Sequence, residues 1–218
     1  MARTRDNAPS EKAMVRQTAA RAHYDKETVY KVIDDAVIAI VAMCVDGSPV
    51  SIPMAIARID DHIYLHGSRS SRLMKQMAAG GEVSICISHL DGIVVARSGM
   101  HCSANYRSVV IHGCGIDITS DAKASLLHRV VFGIIPGSEG DYREHLAKEL
   151  KATTLIAVPL NESACKIRAG GPSDDKEDLD LPFWAGVIPV TQTYGAPIPS
   201  DDLPEGIETP DYALNYKR

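Results

Sequence analysis

Val37-Ile-Ala-Ile-Val-Ala-Met-Cys-Val45, Asp46-Gly47 and then Val50-Ser-Ile-Pro-Met-Ala-Ile-Ala-Arg58 form the stretch whose reading decides the fold. The first run is apolar and rich in β-branched residues, and Asp-Gly tolerates the positive φ angles of a two-residue hairpin turn. The second run must therefore return antiparallel to the first. Asp60-Asp61 marks another turn, after which His62-Ile-Tyr-Leu-His-Gly67 comes back once more. Pro53 has no N–H to give a ladder, which places it at an edge or a bulge and leaves its outward side to something other than a strand.

Upstream, residues 22–36 read as a helix with Asp25 as N-cap and Val29, Val32 and Ile33 at helical spacing. Downstream, Ser70 to Met77 is a second helix, with Leu73, Met74 and Met77 on one face and Gly80-Gly81 as its stop. Period-two patterning returns in Glu82 to Ser88, turns at Asp91-Gly92, and continues through residues 93–96 and 106–115. Helices are expected over 121–132 and 143–150, and a last strong strand over 152–160 that resumes near 164–167. Six or seven strands joined by tight turns are antiparallel, which disfavours a Rossmann sheet. The pattern predicts a mainly β fold with peripheral helices: a closed or split β-barrel, antiparallel and Greek-key-like.

The chain has 218 residues, 45% of them hydrophobic, which suits one mixed domain. Residues 1–23 are polar and read as a flexible lead-in, 24–190 as the domain with a C-terminal arm, and 191–218 as an acidic, Pro-rich tail. Between Pro172 and Asp211 stand ten acidic residues against the single base Lys176, with seven of the twelve prolines. The whole formal charge of −5 comes from that stretch, because the remainder has 22 bases and 18 acids. Such a balance lacks the dense basic footprint of a nonspecific nucleic-acid binder. No apolar run approaches the roughly 20 residues of a membrane span. The charged start, Met1-Ala-Arg-Thr-Arg-Asp6, has no apolar stretch after it and reads against a secretory leader. Cys44, Cys86, Cys102, Cys114 and Cys165 are odd in number and never spaced C-x-x-C, so a reducing cytoplasm is expected.

Chemistry concentrates in a few segments. His66-Gly-Ser-Arg-Ser-Ser-Arg-Leu-Met-Lys75 leaves a strand and enters a helix through serines, with Arg69, Arg72 and Lys75 around the opening turn. Backbone N–H groups, hydroxyls and guanidinium forks together suit a phosphate, although a serine N-cap with solvated arginines gives the same pattern. His101-Cys-Ser-Ala-Asn-Tyr-Arg-Ser108 is polar at seven of eight positions, as a binding loop or a locally bonded turn would be. His66, His101 and His112 match no short metal motif, and no metal site is expected; a haem needs one histidine, but C-x-x-C-H is absent. Cys102 beside His101 sits on alternate faces of a strand, which argues against a thiolate nucleophile. Trp184, the single tryptophan, lies in the Pro/Gly-flanked stretch Leu181-Pro-Phe-Trp-Ala-Gly-Val-Ile-Pro189 and covers a ligand or interface, or pins the tail.

Taken in order, Ile52-Pro-Met54, Tyr64-Leu-His-Gly67 with Ser71-Arg72, the 101–108 segment, Lys166-Ile-Arg168 and Leu181 to Pro189 resemble the FMN-binding split-barrel family of pyridoxamine 5′-phosphate oxidase. The branch they most resemble is that of the nitroimidazole-resistance (Nim) proteins, over about Tyr24 to Val190. The resemblance implies a homodimer with FMN in grooves at the subunit interface. It implies that Ile52, Pro53 and Met54 line the flavin ring, that Tyr64, Leu65, His66 and Gly67 continue that wall, and that Ser71 and Arg72 grip the phosphate. It further implies contacts from His101, Ser103, Asn105, Tyr106, Arg107, Ser108 and Trp184. Leu73 stands where the oxidases usually have a lysine, and their C-terminal substrate pattern is not found, which disfavours pyridoxamine-phosphate oxidation.

Three classes of function follow. The first is an FMN-dependent oxidoreductase, reduced by NAD(P)H or another donor, that passes electrons to a small acceptor such as a nitro compound. The second is a module of the same fold that holds flavin, haem or a deazaflavin without rapid turnover. The third is a structural protein whose polar clusters are only turns.

Overall fold

Asp46 and Gly47 take φ angles of 51° and 78°, and the turn they form pairs Val45 with Ser48. Both central residues of a type I′ turn need positive φ, so the local chemistry read from the sequence is what bends the chain. The computed structural model describes residues 7–218. In chain order the elements are β1 (Ala22–His23), α1 (Lys26–Asp34), β2 (Ile38–Val45), β3 (Ser48–Ile59), β4 (His62–Ser68), α2 (Arg72–Ala78) and β5 (Glu82–Val95). There follow β6 (Ser103–Cys114), β7 (Ile116–Asp117), α3 (Lys123–Ile134), α4 (Ala147–Ala152), β8 (Thr153–Pro159), β9 (Ser163–Arg168), β10 (Gly186–Pro189) and α5 (Asp211–Leu214).

All pairings are antiparallel, in the order β1-β9-β6-β5-β2-β3-β4-β8-β7. β8 and β9 lie near opposite ends of that path, yet only residues 160–162 separate them in the chain. The sheet must therefore curl until its ends meet, which makes it the split barrel expected from the sequence. Inward residues of every long strand share one core: Val41, Ile56, Ile63, Leu65, Ile85, Ile87, Ile111, Ile156 and Val158 are fully buried. α1 adds Val29, Val32 and Ile33 to it, and α2 adds Leu73, Met74 and Met77. Each such burial contributes about 1.5–3 kcal/mol against the entropy of folding. On the outside, α3 and α4 cover β3, β4 and β8 through Leu127, Val130 and Leu150 packed against Ala57, Tyr64 and Leu155.

Three expectations are corrected. Asp91-Gly92 is not a hairpin turn: β5 runs on through it, with a register shift between Leu90 and Gly92 that marks a β-bulge. One extra residue bends and twists a strand without reversing it, and Asp-Gly serves either purpose. Residues 191–218 are not a free tail, because the Tyr216 hydroxyl donates to the Ile134 carbonyl at 2.7 Å and the Arg218 guanidinium donates to the Ala36 and Gly133 carbonyls. The helix-end carbonyls of α3 lack partners within their own helix, and the C-terminus supplies donors for them. Of the expected flexible lead-in, residues 1–6 lie outside the described residues. Residues 7–23 lie against the barrel: β1 pairs with β9, Val15 N–H donates to the Tyr24 hydroxyl at 2.9 Å, and Ser10 donates to Glu162.

Candidate functional site

β4 pairs with β3 only along Ile56 to Ile59, which leaves the edge of β3 from Ser48 to Ala55 without a strand among the described residues. Ile56 N–H donates to the Val37 carbonyl at 2.9 Å, so the even-numbered residues bond to β2 and Pro53 falls on the outward alternate. A missing N–H costs nothing there, which is why proline fits. Ile52 and Pro53 are exposed and Met54 half-buried, giving an apolar backbone wall.

The continuation of that wall is mostly packing. Leu65 is fully buried in the barrel and Tyr64 lies under α3, where burial pushes its phenol pKa up. Their side chains serve the core rather than an open groove. His66 is different: it is half-buried, its Nδ1 is buried with no hydrogen-bond partner among the described residues, and burial pushes its pKa down. A neutral imidazole with an unused nitrogen is a ligand or a proton acceptor. Gly67 approaches α2 so closely that a Cβ would meet Met74 Cγ at 3.0 Å.

At the opening of α2, Ser71 is the N-cap, its Oγ accepting from Met74 N–H at 3.4 Å. Ser68 and Ser70 join their hydroxyls at 2.8 Å, and Arg69 N–H donates to the Ala152 carbonyl at 2.9 Å. The side chains of Arg69, Arg72 and Lys75 are exposed and make no ion pair among the described residues. A cleft of about 280 Å³ beside them is lined by Arg69, Lys75, Lys123, Thr119, Thr153 and Thr154, with Asp117 the one acidic residue. Three cations and three hydroxyls against one carboxylate favour an anion. Lys123, Thr153 and Thr154 were not foreseen, because they come from α3 and β8, some fifty to eighty residues further along.

His101 to Ser108 is not a loop from Ser103 onward but the start of β6. Its polar side chains are largely engaged. His101 bonds the Ser173 carbonyl through Nδ1 and Asp175 through Nε2, the latter at 3.3 Å. Asn105 is buried against Arg168, and Ser108 Oγ donates to the Lys166 carbonyl at 3.3 Å. Arg107 bridges Asp91 and Asp35, which hold its guanidinium firmly charged. Tyr106 lies opposite Arg168 and Leu90, and Ser103 opposite Val94. These residues fasten the arm and α1 to the barrel.

The arm itself ends in β10, which pairs with β5 from Gly92 to Val95, beyond the stretch where β2 lies. Trp184 precedes it, 64% exposed, with its ring over Gly186, where a Cβ would meet Trp184 Cζ2 at 2.9 Å. Next to it an apolar surface is left open: Ile38, Ile40 and Leu90, the cross-strand pair Ile93–Ile188, and Phe183 are all exposed. A cavity of about 650 Å³ lies elsewhere, between Met43, Val50, Gln76 and His112, and contains none of the expected site residues.

This arrangement can be compared with known proteins. A family model described as pyridoxamine 5′-phosphate oxidase matches residues 25–167, well over half of the chain. The chain belongs to the pyridoxamine 5′-phosphate oxidase family. Within this family it is 36% identical to the flavocytochrome Anf3 from Azotobacter vinelandii, covering 95% of this chain and 97% of that one with a TM-score of 0.90. It is 34% identical to the FAD and haem binding protein from Mycobacterium smegmatis, over 88% and 95% of the two chains, with a TM-score of 0.85. A candidate 5-nitroimidazole antibiotic resistance protein from Bacteroides thetaiotaomicron matches at 18% identity and a TM-score of 0.54, over 67% of this chain and 86% of that one, a likeness of fold alone. No curated protein matches the sequence. No helix among the described residues is long and apolar enough to cross a membrane.

Proposed function

We propose that this protein is a flavocytochrome-type redox protein that holds a flavin and a haem and passes electrons between a donor and a small acceptor. The observation that carries the reading is the 36% identity to a flavocytochrome along 95% of the chain, at a TM-score of 0.90. We take the flavin to be FAD, which the Mycobacterium smegmatis relative's name specifies, in place of the FMN that the sequence resemblance implied. Ring and first phosphate are common to both.

The residues fit such a group. The open edge of β3 at Ile52, Pro53 and Met54 offers an apolar wall with free backbone groups to a flat ring. Arg69, Arg72 and Lys75, exposed and without an ion pair among the described residues, offer charge to a phosphate at the start of α2. The buried Nδ1 of His66, without a hydrogen-bond partner among the described residues, would be a nitrogen available to a haem iron. When bound, the flavin and haem supply the redox chemistry; the protein excludes water, fixes the ring and sets the charge around it. His66, neutral by burial, can accept a proton beside that wall.

The exposed Ile38, Ile40, Leu90, Ile93 and Ile188 surface supports a homodimer, since unpartnered apolar area on this scale is a poor solvent surface. We take the donor to be NAD(P)H and the compartment to be the cytoplasm, in keeping with five cysteines that are all free. A nitro-aromatic acceptor has only the likeness of fold behind it.

Absorption spectra of the protein purified natively, with mass spectrometry of the released ligands, test the reading. Bands of both flavin and haem are expected, together with bleaching of the flavin band by NAD(P)H without oxygen. A colourless protein that takes up neither FAD, FMN nor haemin on titration would sink it.

A further inference from the structure

The cleft of about 280 Å³ beside α2 is lined by Arg69 and Lys75 but by neither Ser71 nor Arg72, so it is distinct from the opening of the helix itself. Lys75 follows the Ser71 cap by four residues, about 6 Å along the helix axis. Arg69 is held next to this region by its N–H bond to the Ala152 carbonyl, and Thr153 and Thr154 are the cross-strand partners of Ser68 and Gly67. Lys123 reaches the same cleft from α3. Its ammonium donates to the Leu150 carbonyl at 2.8 Å and to the Thr153 carbonyl, which fixes it in place and leaves one of its three N–H groups for the cleft. No carboxylate neutralises these cations: Asp117 lines the cleft, yet Arg69, Lys75 and Lys123 make no ion pair among the described residues. Lys123 is half-buried, and a charge taken from water without a counter-ion is costly, a cost that a bound anion relieves. Sites for a whole small ligand run to about 300–1,000 Å³. This cleft is sized for one part of a ligand whose remainder lies outside it.

We propose that this cleft is a second phosphate subsite, which takes the adenylate phosphate of FAD while Ser71 and Arg72 hold the phosphate next to the flavin. This rests on the flavin of the reading above and names the residues that select a dinucleotide over FMN. FMN ends at its one phosphate and leaves the cations of the cleft with no charge to meet. FAD carries a second phosphate joined to the first, and Lys75, Lys123 and the Thr154 hydroxyl receive it. Thr154 is only 8% exposed, so its hydroxyl and the tethered Lys123 ammonium form the fixed wall of the subsite, with the exposed Lys75 side chain closing over it.

The test is a flavin-exchange titration of the full-length, natively purified protein with FAD, FMN and riboflavin, and a separate titration with NADP+, read by fluorescence and calorimetry. The wild type is expected to bind FAD about tenfold more tightly than FMN, the equivalent of one charge-assisted contact, and the preference should shrink in high salt. Lys123→Gln keeps a donor for the Leu150 and Thr153 carbonyls but loses the charge. Thr154→Val keeps the shape but loses the hydroxyl. Each should bring FAD affinity down toward that of FMN, while FMN affinity and circular dichroism stay at wild-type values, so that FMN itself guards against a variant that merely fails to fold. Equal affinity of the wild type for FAD and FMN, or equal loss of both in the variants, overturns the subsite and leaves the flavin reading standing. Loss of NADP+ binding with the FAD preference intact assigns the cleft to the nicotinamide coenzyme and overturns it as well. A wild type that takes up neither FAD, FMN nor riboflavin overturns both.

Discussion

Arg168 donates to Asn105 Oδ1 across β6 and β9, and Asn105 Nδ2 donates in turn to the Gly170 carbonyl at 3.0 Å, with both side chains buried. This pair fixes the point at which the chain leaves the barrel for the arm that ends in Trp184 and β10. Asn105→Ala leaves the Arg168 guanidinium buried against an apolar methyl, and a lost hydrogen bond to a charged group costs about 1.5–3 kcal/mol. Urea denaturation should show that loss. Proteolysis between residues 169 and 185 should quicken as well. An unchanged cleavage rate would show that β10 alone holds the arm.

The anion grip is the part of the site most open to direct test. Arg72→Ala should weaken flavin binding about tenfold to hundredfold, the equivalent of one charge-assisted hydrogen bond. Arg69→Ala should do the same, and both losses should shrink in high salt as ions screen the exposed charges. Isothermal titration with FAD and with riboflavin separates phosphate from ring contacts. Riboflavin, which has no phosphate, should bind wild type and variants alike.

Asp25 caps α1, its Oδ1 accepting from Thr28 N–H at 2.9 Å, and that bond holds the carboxyl below its ordinary pKa. A depressed folded-state pKa means stability that is present above the unfolded value near 4 and lost as pH falls through the lower, folded value. Asp25→Ala should therefore cost about 1 kcal/mol at neutral pH. The gap from wild type should close as pH falls below about 4. Asp25→Asn keeps the cap without the charge and should show little pH dependence in its difference. Thermal melts across pH check each curve.

How far the sequence disclosed the molecule depends on how local the cause was. β2, β3 and β4 were legible because Asp46-Gly47 and Asp60, at φ of 54°, carry their turns in two residues. The caps Asp25 and Ser71 were legible for the same reason. The Asp91-Gly92 bulge was not, since its strand partners and not its own residues decide whether the chain turns or continues. Neither was β10, which exists because β5 has a free edge beyond β2. In the site, the Arg69 to Lys75 cluster lies in one segment and showed itself, while Lys123, Thr153 and Thr154 join it only through the packing of distant elements.

The apolar surface around Ile40 gives the assembly a direct test. Ile40 is 42% exposed on β2, with Pro53 and Cys86 as its cross-strand neighbours. Ile40→Asp places a carboxylate where two copies would meet and should turn a dimer into a monomer in sedimentation velocity. Its own fold should persist, because the outward face carries no core contact. A monomeric wild type at micromolar concentration would remove the argument for a dimeric groove.

Gly115 decides how α2 meets the barrel. It is buried beside the end of the helix, and a Cβ there would lie 2.4 Å from the Met77 carbonyl oxygen, a backbone atom that cannot swing aside. Gly115→Ala must push α2 away from β7, and overpacking of this kind costs about 1–3 kcal/mol. Gly99, where an added methyl would have nothing within 4 Å, should accept alanine without such loss and serves as the control. Because α2 carries Ser71, Arg72 and Lys75, the displacement should reach the anion grip too. Flavin affinity ought to fall in Gly115→Ala although the substituted atom is remote from the phosphate. If stability falls and affinity holds, the opening of α2 is positioned by Gly67 and Met74 rather than by the helix as a rigid unit.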